Sequence, residues 1–139
     1  MDAIKLLEND EFFYADFIAI RNSKIFSYDL TDGKITLNQN ATINEFDIVE
    51  IYIIFSVEIN GSIYAGGESP VHGSYGFFYK KTDGFLDWAL TSLDSNPFIG
   101  VENFDNCVRF LSSSGFGWIV ANDDIVNAYI DPTYNAFNE

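Results

Sequence analysis

A chain of 139 residues that is 47% hydrophobic and 17% aromatic can bury one sizeable core, which excludes a disordered acidic segment. Its 21 acidic residues against 7 basic ones give a formal net charge of -14. That balance argues against direct nucleic-acid binding, because the phosphate backbone demands a cationic surface, and it favours a basic partner instead.

Cys107 is the only cysteine, so an internal disulfide and cysteine-based zinc clusters are excluded, and a free thiol suits a reducing cytoplasm. The N-terminus is short and acidic, without a secretory apolar stretch. The longest apolar run, Ile51–Phe55, is far short of a membrane span. A cytoplasmic protein without membrane contact is expected.

In chain order, Asp2–Glu8 is predicted as a short helix with Ile4 and Leu7 inward, which must dock because it is too short to stand alone. Phe12–Arg21 and Lys24–Leu30 read as strands, and Thr31-Asp32-Gly33-Lys34 as a tight turn into a strand over Ile35–Leu37. Asn38–Asn44 is polar loop with a brief strand at Ala41–Ile43. Phe46–Asn60 is the central strand of the prediction. Its odd positions Val49, Ile51, Ile53, Phe55, Val57 and Ile59 are all apolar and should line one buried face. Asn60-Gly61 is a two-residue hairpin signal that sets Val57 opposite Tyr64 and Phe55 opposite Gly66. Ser62–Ala65 and Tyr75–Lys81 complete an antiparallel meander, with Gly66–Gly73 as an irregular loop between them.

From Thr82 the pattern turns helical. Leu86, Ala89, Leu90 and Leu93 recur at helical spacing, with Asp83 as N-cap and Asn96-Pro97 as the stop. Phe104, Cys107, Val108 and Leu111 repeat the spacing in a second helix closed by Gly115. Phe116–Ala121 reads as a strand with Trp118 and Val120 on one side. Asn122 caps a last helix over Asp123–Ile130 that Pro132 ends, and Thr133–Glu139 is a loose tail. The expected fold is therefore a single α+β domain: a curved antiparallel sheet with C-terminal helices packed on one side.

Chemical signatures are sparse. His72 is the only histidine and sits in a glycine-bounded loop near Ser69 and Ser74, but no orienting partner and no G-x-S-x-G elbow accompany it. Cys107 falls on the apolar stripe of its predicted helix, where a buried small hydrophobe is the ordinary role. Asp123-Asp124 and Glu50 with Glu58 are acid pairs that such a composition produces by chance, and the former fits helix N-terminal charge. No calcium-loop motif is present, and Gly66-Gly67 and Gly73-x-x-Gly76 match neither phosphate-binding pattern. Lys80-Lys81 is too small a basic patch for nucleic acid. No catalytic residue, metal or cofactor is expected.

The charge is uneven. From Asp83 to Glu139 nine acids stand against one base, Arg109. On the first predicted helix Asp87 and Asp94 share a face, with Trp88 at the edge of the apolar stripe. Carboxylates that steer and an aromatic that anchors suit a surface for a basic protein. The residues expected to meet it are Asp83, Asp87, Trp88, Asp94, Glu102, Asp105, Asp123 and Asp124. In size, acidity and α+β texture the whole chain resembles the immunity proteins of contact-dependent growth inhibition and related polymorphic toxin systems, a likeness of general character rather than of a motif. The resemblance implies a cytosolic inhibitor that occludes a basic, nuclease-type toxin domain. Two other readings fit the same residues: an acidic nucleic-acid mimic acting on a defence protein, and a small-ligand-binding or enzymatic domain built on the Gly66–Gly76 loop and His72.

Overall fold

The structure, a computed structural model, describes residues 3–21, 24–38, 48–70, 75–95 and 97–131. It is nearly all β, and the expected α+β architecture with C-terminal helices is overturned. One helix, α1 (Ala3–Glu8), precedes β1 (Glu11–Phe13), β2 (Phe17–Ile20), β3 (Lys24–Thr31), β4 (Lys34–Asn38), β5 (Ile48–Glu50), β6 (Tyr52–Ile59) and β7 (Ser62–Glu68). Then follow β8 (Gly76–Thr82), β9 (Phe85–Ser92), β10 (Phe98–Phe104), β11 (Cys107–Ser112), β12 (Gly117–Ala121), a 3-10 turn (Ile125–Asn127) and β13 (Tyr129–Asp131).

All but β1 and β5 form one antiparallel sheet in the order β10-β11-β12-β13-β4-β3-β2-β9-β8-β7-β6, which curls into a nearly closed barrel. Its terminal strand β10 lies against β6, β7 and β8. β1 and β5 pair with each other as a separate ribbon, Phe12 opposite Val49. No helix among the described residues is long and apolar enough to cross a membrane.

Two cores result, one on each face of β2, β9, β8 and β7. Successive side chains alternate across a strand, so Phe78 on β8 points into the barrel while Phe77 and Tyr79 point outward. The outer core is roofed by Ala3 and Leu7 of α1, Phe12 and Phe13 of β1, and Ile51. The inner core stacks Phe78 on Phe110 at 3.9 Å and 7°, with Phe98 and Trp88 edge-on at 5.0 and 6.1 Å. Offset and edge contacts of this kind suit the ring quadrupoles. Two buried aromatics have their polar ends satisfied: Trp118 Nε1 donates to Ser95 Oγ at 3.0 Å and Tyr28 Oη to the Thr91 carbonyl at 2.6 Å.

The predicted N-terminal helix stands as α1, but where the sequence predicts the first two C-terminal helices, strands stand, for a physical reason. β9 is buried on both faces, so its apolar residues carry no simple period of 2. A bulge also shifts its register: Lys80 faces Trp88 while Lys81 faces Leu86, leaving Asp87 as the extra residue. The shift sends Leu86 and Ala89 outward and Trp88 and Leu90 inward, a sequence pattern that imitates helical spacing. Asp83 is thus no N-cap but the first residue of an Asp83-Gly84 hairpin turn, at φ 52°. The second predicted helix is the β10–β11 hairpin, in which Phe104 and Cys107 face each other across an Asp105-Asn106 turn. The third is reduced to the 3-10 turn and β13, and Asn122 is a turn residue at φ 53° rather than a cap.

The other strands are better matched. β3, β4, β8 and β12 lie where they are expected, and Val57 faces Tyr64 and Phe55 faces Gly66 across the β6–β7 hairpin. The segment expected as one strand over Phe12–Arg21 divides between the two sheets as β1 and β2. Of the segment expected over Phe46–Asn60, the described part from Ile48 is not central. It breaks at the buried Ile51 into β5 and β6, and β6 is the edge of the sheet, where Ile53 and Val57 are 38% and 39% exposed. Gly66 and Gly67 belong to β7 rather than to a loop. His72 with Gly73 and Ser74, the brief strand at Ala41–Ile43, Asn96, Pro132 and the 133–139 tail lie outside the described residues.

Candidate functional site

The meander brings several turns to one end of the barrel. β6 ends there at Asn60-Gly61, β8 at Asp83-Gly84, β10 at Asp105-Asn106 and β12 at Asn122-Asp123. Each of these pairs has positive φ at both residues; the first three close two-residue hairpins, whose twist that geometry matches, and Asn122-Asp123 leads instead into the 3-10 turn before β13. Between the turns opens a cavity of about 380 Å³ lined by Asn60, Tyr64, Trp88, Asn103, Asn106, Cys107, Val108, Val120, Asn122 and Asp123. The mouth of a β-barrel is a recurrent place for a ligand site, and this volume falls in the usual range of ~300–1,000 Å³.

At the inner edge of the cavity Asp123 is held from two sides. Trp88 Nε1 donates to its Oδ1 at 2.7 Å and Lys80 Nζ to the same oxygen at 2.9 Å. Burial works against the Lys80 ammonium, but the hydrogen bond it donates to Asp123 and the nearby Tyr64, Asp123 and Asp87 outweigh it, and its pKa is raised. The same ammonium lies 5.7 Å from the centre of the Tyr64 ring. Lys80 is therefore already engaged by the protein itself.

The four asparagines differ from this. Asn60, Asn103, Asn106 and Asn122 all line the cavity, and none of their carboxamides takes a hydrogen-bond partner among the described residues. Turn chemistry explains Asn at a positive φ, since its short side chain tolerates that region. It does not explain the choice over glycine. Asp32-Gly33, Asn60-Gly61 and Asp83-Gly84 place glycine second in the turn, whereas Asp105-Asn106 and Asn122-Asp123 carry side chains there at φ 63° and 62°. Those two turns are the ones whose second residues line the cavity.

Asp83, Asp87, Trp88, Glu102, Asp105, Asp123 and Asp124, scattered along the sequence, all reach this end; Asp94 follows β9 to the opposite end. Their individual surroundings differ. Asp83 and Asp105 are exposed turn residues. Asp87, at the β9 bulge, accepts from Thr82 Oγ1 at 2.5 Å, and Glu102 pairs with Arg109 across the β10–β11 ladder at 2.5 Å. Asp124 accepts from Asn127 Nδ2 at 2.7 Å. Trp88 is only 3% exposed, so it is a wall of the barrel interior and not the surface anchor the sequence suggests. Cys107 is half-buried and also faces the cavity.

The rim is polarised. Arg21 and Lys24 lie on the side where β2 meets β3, and Lys81 beside the Asp83 turn. On the cavity side stand Glu58, Glu102, Asp105, Asp123 and Asp124, while Arg109 and Lys80 are bound to Glu102 and Asp123. Sequence reasoning misses Asn103, Asn106 and Asn122 as site residues because Asn122 reads as a helix cap, Asn106 falls within the second predicted helix and Asn103 stands just before it. The available signal is the asparagine or aspartate second in a turn where this chain elsewhere uses glycine. Among the described residues no group of three or more His, Cys, Asp or Glu is placed to hold a metal. No family model, curated protein or solved structure matches the chain.

Proposed function

We propose that this chain is a non-catalytic binding protein, an inhibitor of the immunity type, that neutralises a basic toxin domain in the cytoplasm by covering it with the acidic side of the barrel mouth. The observation that carries the reading is the convergence of Glu102, Asp105, Asp123 and Asp124 from β10, β12 and their turns onto one rim, with Lys80 and Arg109 engaged internally. Exposed carboxylates around a concavity, Asp105 and Asp124 among them in no ion pair among the described residues, steer a basic partner and set its orientation, while the concavity supplies the desolvated centre that affinity requires. Neither a cofactor nor nucleic acid enters this role.

The test replaces Asp83, Asp105 and Asp124 together by Asn, changes confined to exposed positions. Tagged wild-type protein should capture one basic protein from a lysate of the source organism, more weakly at high salt, and should silence that protein's activity at equimolar ratio. The triple variant should lose affinity at least about tenfold. Undiminished capture and silencing by the variant would remove the mouth from the interface.

A further inference from the structure

We infer that the cavity at the barrel mouth is a guanidinium pocket, which receives the side chain of an arginine presented by the basic partner; this rests on the function proposed above. The cavity is lined by four uncommitted carboxamides, from Asn60, Asn103, Asn106 and Asn122, and by the carboxylate of Asp123. Trp88 and Lys80 bind one oxygen of that carboxylate, Oδ1, and fix its position. Four carboxamide oxygens and Oδ2 offer acceptors on several walls, and a guanidinium brings five N–H donors in a planar fork.

The alternatives fit less well. An anion meets an unfavourable field, since the ammonium beside the cavity, Lys80, is already paired and the flanking residues Glu102, Asp105 and Asp124 are acidic. An ammonium concentrates three donors at one point, whereas the asparagines enter from β10, the β10–β11 turn, the end of β12 and the β6–β7 turn. The remaining walls, Val108, Val120, Cys107 and the Tyr64 ring, suit the methylenes of an arginine and the face of its cationic head. Asparagine at position 106 also acquires a purpose. Glycine would relieve its positive φ of 63°, and the chain retains a hydrogen-bonding side chain there instead.

The probe is N-acetyl-L-arginine amide, titrated into the full-length ¹⁵N-labelled chain and followed by NMR. The protein has two tryptophans, which serve as reporter and control. The Trp88 indole N–H, bonded to Asp123 at the cavity, should shift saturably, while that of Trp118, bonded to Ser95 in the core, should not. The isosteric but uncharged N-acetyl-L-citrulline amide should bind at least about tenfold more weakly. Asn106→Gly combined with Asn103→Ala should weaken the arginine probe by about tenfold with the fold intact, because glycine suits the turn. No saturable shift of Trp88, equal binding of citrulline, or an unaffected double variant would each overturn the inference. A double variant that still captures the basic partner at full affinity would discard the pocket alone. Loss of capture only in the Asp83/Asp105/Asp124 variant would keep the rim as the interface.

Discussion

A half-buried carboxylate shows how the acidic composition is managed residue by residue. Asp16, just before β2, accepts a hydrogen bond from the Leu93 N–H at 2.8 Å. Burial nevertheless raises its pKa, the Leu93 bond only partly opposes this, and Asp94 and Asp29 raise it further. A carboxyl whose pKa is higher folded than unfolded binds its proton more tightly in the native state. Its favourable contribution is thus complete below the ordinary value of 3.8 and is lost as pH rises through the folded value. Near neutrality Asp16 is a cost. Asp16→Asn keeps an acceptor for Leu93 and removes the charge, so the melting temperature should rise at about pH 7 and the gain should shrink toward pH 3. A thermal-unfolding series across that range decides it; equal gain at both ends would mean that charge is not the cause.

Elements obey the same logic of two faces. Gly67 on β7 sits where the β6 bulge brings the opposing chain closest, and a Cβ there would overlap the Tyr52 carbonyl oxygen; at Gly66 it would meet the Phe77 carbonyl oxygen at 2.6 Å. Because backbone cannot step aside as a side-chain end does, Gly67→Ala should destabilise by about 1–3 kcal/mol, with the denaturation midpoint as the readout. An unchanged midpoint would show that β6 is free to move outward. The same bulge explains why the sequence is legible only in part. Hairpin register at Asn60-Gly61 is readable because a two-residue turn fixes it locally. The edge position of β6 is not readable, since six alternating apolar residues look alike at the centre and at the rim of a sheet. β9 is misread as a helix because two-sided burial and the Asp87 bulge erase its period, although the Asp83-Gly84 hairpin signal stood at its start. The carboxylates of the mouth are visible in the sequence as charge. Their assembly at one end depends on strand order, which no local pattern encodes.

For the whole molecule, the strand order predicts where stability resides. β8 and β9 are covered on both faces, by the barrel interior and by α1 with the β1–β5 ribbon, and carry the fully buried Phe77, Phe78, Leu86 and Leu90. The curl is completed by far less. β13 meets β4 through the single pair Tyr129–Lys34 and a hydrogen bond from the Ile130 N–H to the Gly33 carbonyl at 2.9 Å. Local opening costs little where few backbone bonds and little apolar area hold an element, so the barrel should open first along the β4–β13 line. Native-state hydrogen exchange measures this directly. The amides of Phe78, Tyr79, Ala89 and Leu90 should exchange only with global unfolding, and that of Ile130 well before them. The cavity end depends on β10, β11 and β12, which reach the rest of the sheet on one side through β13. A partner that bridges Asn60 on the β6–β7 turn and Asn106 on the β10–β11 turn would clamp this half against the other, and binding only the folded form shifts that equilibrium by mass action. Protection of Ile130 should then rise on partner binding although it lies outside the contact. Ile130 exchange that is already as slow as that of Phe78 in the free protein would refute the weak line and the clamp together.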